Sequence, residues 1–280
     1  FWPRVSPHFL ACRRGVRAAA LDYAVAVGLS GGADSLALMA ALVAEGHEVL
    51  ALCVDHGLQD GSRAQAERAA EQARKLGARA RVLDVETGAT GQKSMEAAAR
   101  VARYRALAAA CAAEELEVAV AHTADDQAET LLIGALRGRV AGMSERSEVE
   151  GARVVRPLLG VRRADTEGAC AELGLSAWQD PQNEDRNFRR VALRREVIPQ
   201  LNHIIGGDAV PALAQAASDA ALDDAALHTP PTTDCAALAA MAEPRRRRAI
   251  AAWLVGEGVE VTRKGVGDVG KLCTHWHGQG

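Results

Sequence analysis

The sequence predicts an α/β fold: a doubly wound parallel sheet followed by a small helical domain. Short apolar runs of strand length alternate with longer segments of helical spacing, the βαβα order that builds parallel sheets with right-handed crossovers. The first run, Ala24 to Leu29, is apolar throughout, as in a strand covered on both faces. The chemistry-bearing residues follow directly after such runs, at the strand ends where open parallel sheets bind ligands.

Taken in order, residues 1–20 form an N-terminal segment with no readable pattern, and the chain starts at Phe1 rather than Met. Strands are expected at Tyr23–Leu29, Glu48–Val54, Ala80–Val85, Val118–Ala121 and Arg153–Arg156. Between them, Asp34–Glu45 carries apolar residues at helical spacing (Leu36, Met39, Ala40, Val43). Ser62 to Leu76 reads as a helix, with Ser62 and Gln65 as a capping box and Gly77 as its stop. Met95–Glu114 and Ala124–Leu136 complete the set inside the sheet, and Arg162–Leu173, closed by Gly174, follows. Trp178 to Asn183 is a turn-rich loop, and Arg186–Leu201 is helical but interrupted by Pro199. Gly206-Gly207-Asp208 marks the boundary between a large domain, residues 21–205, and a mainly helical domain, residues 206–280. The latter ends without a polar tail, which reads as a truncation.

Composition narrows the function classes. The chain is 49% hydrophobic and 3% aromatic, a globular balance. A net charge of −3 excludes a global basic field for nucleic acid. Arginine is nevertheless concentrated at Arg186, Arg189, Arg190, Arg194 and Arg195 and again at Arg245–Arg248, where the plain alternative is a solvated helix face. Six cysteines are scattered without a C-x-x-C pair, which suits a reducing cytoplasm and argues against zinc or iron–sulfur sites. No apolar run has membrane-spanning length and no signal-peptide pattern is present, so the expectation is a cytoplasmic protein without a membrane partner.

The segment Ser30-Gly31-Gly32-Ala33-Asp34-Ser35 joins the first strand to the first helix of the sheet. Glycines allow close backbone approach, first-turn N–H groups point outward, and two hydroxyls add donors, which together make an anion site. A carboxylate, Asp34, among phosphate donors suggests Mg²⁺ between them. An ordinary strand–turn–helix joint with a polar cap is the competing reading. Val54-Asp55-His56-Gly57-Leu58 closes the second strand and offers contacts to adenine, ribose or metal, or simply a helix-entry turn. After the fourth strand, His122-Thr123-Ala124-Asp125-Asp126-Gln127-Ala128-Glu129-Thr130 crowds a histidine and three carboxylates at a helix start, where acidic residues also serve as caps. Glu96, Arg100, Arg103 and Tyr104 lie on the preceding helix, as a cation clamp on phosphates or as a surface ion pair.

The loop Ser30–Ser35 resembles the S-G-G-x-D-S turn of the N-type ATP pyrophosphatases, the PP-loop superfamily, and is not a Walker A pattern. The wider set resembles the tRNA(Ile)-lysidine synthetase family: Leu29–Ser35, Val54–Leu58, Glu96–Arg100 with Arg103-Tyr104, and His122–Thr130. Further matches are Arg137-Gly138, Gly142-Met143, Arg156–Leu159, Asp180-Pro181 with Asn183, and Leu193-Arg194. The resemblance implies ATP-dependent ligation of free L-lysine to C2 of the wobble cytidine of the isoleucine tRNA with a CAU anticodon. The reaction passes through an adenylated tRNA and gives lysidine, AMP and pyrophosphate. It implies that Ser30, Gly31, Gly32, Ala33, Asp34 and Ser35 hold ATP, that Asp34 holds Mg²⁺ with Asp126 as a second metal-holding or substrate-orienting carboxylate, and that Arg103 meets charge at the α-phosphate. His122 would orient lysine or cytosine, and Arg189, Arg190, Arg194 and Arg195 would contact tRNA phosphates. A homodimer is carried as an expectation. The family's Gly/Ser-rich loop between Arg137-Gly138 and Gly142-Met143 is reduced here to Arg139-Val140-Ala141. That reduction keeps a non-catalytic ATP-binding relative as an alternative, beside another PP-loop tRNA-modifying enzyme. Thiolases of that group commonly use paired cysteines, which this chain lacks.

Overall fold

The computed structural model describes residues 2–55, 57, 61–85, 92–179, 188–259 and 261–275, with only the backbone of 92–97. It divides into two compact units, Phe1–Ser218 and Asp219–Gly280.

The first unit is built on a six-stranded sheet in the order β3-β2-β1-β4-β6-β5. Its strands are β1 (Ala24–Gly28), β2 (Glu48–Asp55), β3 (Arg79–Asp84), β4 (Val118–Ala119), β5 (Arg146–Val149) and β6 (Ala152–Val155). All pairs are parallel except β5 with β6. The chain winds outward from β1 to β3, then returns to place β4 on the other side of β1. The crevice between the β1 and β4 ends is therefore the topological switch point, where such sheets take ligands. Period-two alternation sorts the core. Val25, Val27, Val49, Ala51, Cys53 and Val155 face one layer, containing α1 (Pro7–Ala18), α2 (Ala33–Ala44), α3 (Ser62–Lys75) and α6 (Arg163–Leu173). Ala26, Leu50, Leu52, Val118 and Val154 face the other, beneath Tyr104, Leu107 and Cys111 of α4 (Gln92–Ala112).

Several local readings change. The N-terminal segment contains α1, whose Phe9, Cys12 and Val16 are buried in the main core. Glu172 of α6 accepts from the His8 and Phe9 N–H groups, satisfying donors that a helix start leaves open. The Ser62–Gln65 capping box does not form. The N-cap is Gly61, with φ +85°, and the Ser62 hydroxyl donates instead to Asp55 at 2.6 Å. Edge strand β5 was not expected. Its turn to β6 runs through Glu150 (φ +50°) and Gly151 (φ +82°), the paired positive φ values of a tight hairpin. Pro199 does not break its helix. After α7 (Arg189–Ala192), a π turn at Leu193–Val197 leads into α8 (Ile198–Ile205), with Pro199 in the first turn, where its missing N–H costs little.

The domain boundary also falls later than Gly206. α9 (Val210–Ala226) begins inside the first unit, where Val210 and Ala214 pack with Ala124, Ala128 and Ile198. The second unit holds α10 (Cys235–Ala240), α11 (Glu243–Gly256) and α12 (Arg263–His275) around Leu238, Ala249, Ile250, Leu254 and Val266. In the Arg245–Arg248 run, Arg246 donates to the Leu238 and Ala239 carbonyls and Arg248 pairs with Asp224 at 2.8 Å. Two of the four arginines thus serve the unit's own packing. Among the described residues no helix is long and apolar enough to cross a membrane.

Candidate active site

Three helix N-termini meet at the switch point. The first follows β1. Gly31 adopts φ +85°, its carbonyl accepts from Trp178 N–H at 2.9 Å, and a Cβ there would lie 2.6 Å from Gln65 Nε2. The conformation requires glycine, and a Cβ would also displace the Gln65 amide. Gly32 caps α2, and the Ser35 hydroxyl donates to the Gly32 carbonyl at 3.0 Å and lies 3.1 Å from Ser30 Oγ. The loop thus sets two hydroxyls and the open N–H groups of a helix start on one turn.

The second is α5 (Ala124–Leu136), which follows β4. Thr123 and Asp126 form a reciprocal capping box: the Thr123 N–H donates to Asp126 Oδ2 at 2.8 Å, and the Asp126 N–H donates to Thr123 Oγ1. The third is α6. Asp125 accepts from the Arg163 N–H at 2.8 Å and from two nitrogens of Arg162 at 3.1 Å, tying the start of α6 to the start of α5.

Arg163 then joins the three. Its guanidinium reaches Asp126 at 2.8 Å, Glu129 at 3.3 Å and Asp34 at 3.6 Å, while the Thr166 hydroxyl donates to Asp34. Glu129 is fully buried and also pairs with Arg190 at 3.3 Å and Arg194 at 2.9 Å. Burial pushes the Asp34 carboxyl up to about 6, against the pull of Thr166 and Arg163. Burial acts the same way on Asp126, yet Arg163 and the Thr123 cap hold it below the ordinary carboxylate value. Asp125 is likewise held down, burial being outweighed by Arg162 and the Arg163 N–H. Burial disfavours the Arg163 charge, but Asp126, Glu129 and Asp34 together raise its pKa.

A second group lies on the α4 face. Arg100 and Arg103 flank the Tyr104 ring at 5.0 and 5.5 Å from its centroid, in cation–π range. Burial and Arg100 lower the Arg103 pKa, and the Tyr104 hydroxyl opposes them. His122 is pushed down to about 4, chiefly by burial and further by Arg156, Arg100 and Arg190, against Asp126; its imidazole is neutral at neutral pH.

Of the residues singled out in the sequence, Ser30–Ser35, Asp126 and Glu129 are gathered at the switch point, with Asp34 linked to Asp126 through Arg163. His122 shares a neighbourhood with Arg100, Arg156 and Arg190. Arg190 and Arg194 pair with Glu129; Arg190 remains exposed, as are Arg189 and Arg195. The structure therefore gives Arg190 and Arg194 one shared carboxylate partner, Glu129. His56, Leu58, Asp180, Pro181, Asn183 and Arg186 lie outside the described residues, as does the Glu96 side chain. Sequence reasoning passed over Arg162, Arg163 and Thr166; two arginines opening a helix were the available signal. Among the described residues no group of three or more His, Cys, Asp or Glu side chains is arranged to hold a metal ion. The chain is held tightly just after the reduced loop. The Gln127 amide bonds the Met143 N–H and carbonyl at 2.8 Å each, and a Cβ on Gly142 would lie 1.8 Å from the Ala217 carbonyl.

The comparisons agree with this architecture. The family model of the PP-loop domain matches residues 15–201. The tRNA(Ile)-lysidine synthase of Corynebacterium glutamicum is 49% identical over 99% of this chain and 89% of its own length. That of Corynebacterium diphtheriae is 53% identical over 100% and 92%. Among solved structures, the U34-tRNA thiolase NcsA from Methanococcus maripaludis matches the fold with a TM-score of 0.58 at 18% identity, covering 74% of this chain and 78% of that one. With its motifs set around one switch point and half its residues shared with these relatives over their whole matched length, the chain belongs to the tRNA(Ile)-lysidine synthase family.

Proposed function

We propose that the protein ligates free L-lysine to C2 of the wobble cytidine of the isoleucine tRNA with a CAU anticodon, consuming ATP. The observation that supports this most directly is the convergence of the Ser30–Ser35 turn with the Asp126–Glu129 helix start through Arg163. In the first half-reaction cytosine O2 attacks the α-phosphorus and pyrophosphate leaves. In the second the lysine amine attacks C2 and AMP leaves. No enzyme nucleophile is required, so the chain's work is orientation and charge stabilisation.

Ser30, Ser35 and the first-turn N–H groups of α2 receive the departing phosphates. Arg103, held against Tyr104, meets charge developing at the α-phosphate. Asp34 and Asp126 already share one cation, Arg163, and this pair of carboxylates fits Mg²⁺, which takes one or two carboxylates together with phosphate oxygens. Bound there, Mg²⁺ offsets the charge of the leaving pyrophosphate. His122, neutral, orients the acceptor without adding a charge. Arg189 and Arg195, both exposed, meet the RNA backbone.

Pyrophosphate release measured with tRNA and lysine tests this reading. Release that requires that tRNA, with lysidine in the product, supports it. ATP binding without release points to a non-catalytic relative, and release with another tRNA points to a different modification.

A further inference from the structure

Among the described residues two buried side-chain nitrogens lack a hydrogen-bond partner, His122 Nδ1 and Arg156 Nε. They belong to neighbouring strands. β4 and β6 pair in parallel with Ala119 beside Val155, and each residue lies just past the carboxyl end of its strand. Val118 and Val154 face α4, and alternation carries Arg156 to that face. Tyr104 and Arg100 of α4 act electrostatically on Arg156, and Arg100 and Arg156 act on His122, so the two side chains share one neighbourhood.

The two orphans are complementary. A guanidinium does not deprotonate in a protein, so Arg156 Nε is always a donor. A neutral imidazole offers one donor and one acceptor, and the bond made by one ring nitrogen decides which is which. Charged and titratable groups around the ring come from three elements besides Arg156: Arg100 of α4, Asp126 of α5 and Arg190 of α7. Arg156 is itself anchored. It is 6% exposed, and its Nη1 donates to the Ser144 carbonyl at 2.8 Å and to Ser147 Oγ at 2.9 Å, which fixes the guanidinium from the β5 side. A buried polar nitrogen left without a partner is destabilising, and here there are two. One bond between them would satisfy both.

We propose that Arg156 is a positioning residue for His122: its Nε–H donates to His122 Nδ1, fixes the Nε2–H tautomer, and leaves that single N–H for the acceptor edge of the pyrimidine being activated. This rests on the reading of the site given above. It assigns the β5–β6 hairpin a purpose beyond closing the sheet, because Ser144 and Ser147 hold Arg156, Arg156 holds His122, and His122 faces substrate.

The test is long-range ¹H–¹⁵N NMR of the histidine-labelled protein at neutral pH, with the His122 signals assigned by their loss in His122→Gln. The expected result is an unprotonated Nδ1 and a protonated Nε2. In Arg156→Lys, which keeps the charge but lacks Nε–H, the His122 shifts should move to the average of exchanging tautomers. Turnover should fall at least about tenfold with KM for ATP unchanged. Arg156→Met serves as a second variant, and both are checked for fold by circular dichroism. A protonated Nδ1 in the wild type, or an unmoved tautomer in a folded Arg156→Lys, overturns the proposal. Because this readout needs no turnover, it separates from the functional reading. A fixed tautomer with no lysidine formed sinks that reading alone, and normal lysidine formation with an unfixed tautomer sinks this one alone.

Discussion

Arg163 donates to Asp126 at 2.8 Å across the junction of two helix starts. The same guanidinium lies 3.6 Å from Asp34, so one cation holds the phosphate-loop carboxylate and the α5 carboxylate together. The site is organised around this arginine, and its loss is the most informative perturbation.

Replacing Arg163 with Met should destabilise the protein by about 3–5 kcal/mol, the cost of removing one partner from buried ion pairs. Asp126 loses its cation, whereas Glu129 keeps Arg190 and Arg194. Urea unfolding of the two proteins at neutral pH measures the difference. A loss below about 1 kcal/mol would mean that the carboxylates are compensated elsewhere.

Asp34→Asn should abolish pyrophosphate release and leave the fold intact. It should also change the pH dependence of stability. The native carboxyl titrates at about 6, above its unfolded value of 3.8. The native state therefore binds this proton more tightly than the unfolded state. The resulting stabilisation is complete below pH 3.8 and is lost as pH rises through 6, up to about 3 kcal/mol. In magnesium-free buffer the Asn variant should lack that fall between pH 4 and pH 6, as read from denaturation midpoints.

Such a site was only half legible in the sequence. Ser30–Ser35 and His122–Thr130 are contiguous, so their chemistry can be read from spacing alone. Arg163 acts on carboxylates more than thirty residues away, and the Arg162-Arg163 pair opening a helix is only a weak local sign of it. The parallel strands were readable because Val25, Val27, Val49 and Ala51 are buried between two layers. Strand β5, Arg146-Ser-Glu-Val149, is a polar edge, visible only through its Glu150-Gly151 turn. Ser62 and Gln65 matched a capping pattern, but Asp55, at the end of the preceding strand, took the hydroxyl.

Arg103→Ala should lower turnover on the order of a hundredfold with little change in stability. Among the described residues no carboxylate is paired with it, and its guanidinium lies against the Tyr104 ring. Rates normalised to folded protein, beside thermal melts, decide the matter. A normal rate with a lowered melt would reduce Arg103 to a packing residue.

Arg189 and Arg194 should separate in tRNA binding. Arg189→Ala removes an exposed charge and should reduce the log–log salt slope of binding by up to about one unit. Arg194→Ala breaks a pair with buried Glu129 and should cost stability first, about 1–3 kcal/mol. Equal effects of the two variants on the salt slope would contradict this division.

The order in which these partners are synthesised sets a schedule for folding. Asp34 and Asp126 leave the ribosome before Arg163, and Glu129 before Arg190 and Arg194. At typical elongation rates of roughly 5–20 residues per second, Asp34 waits on the order of ten seconds for its cation. The nucleotide crevice is therefore assembled late, and a nascent chain stalled before α6 carries the phosphate loop without the arginine that joins it to α5.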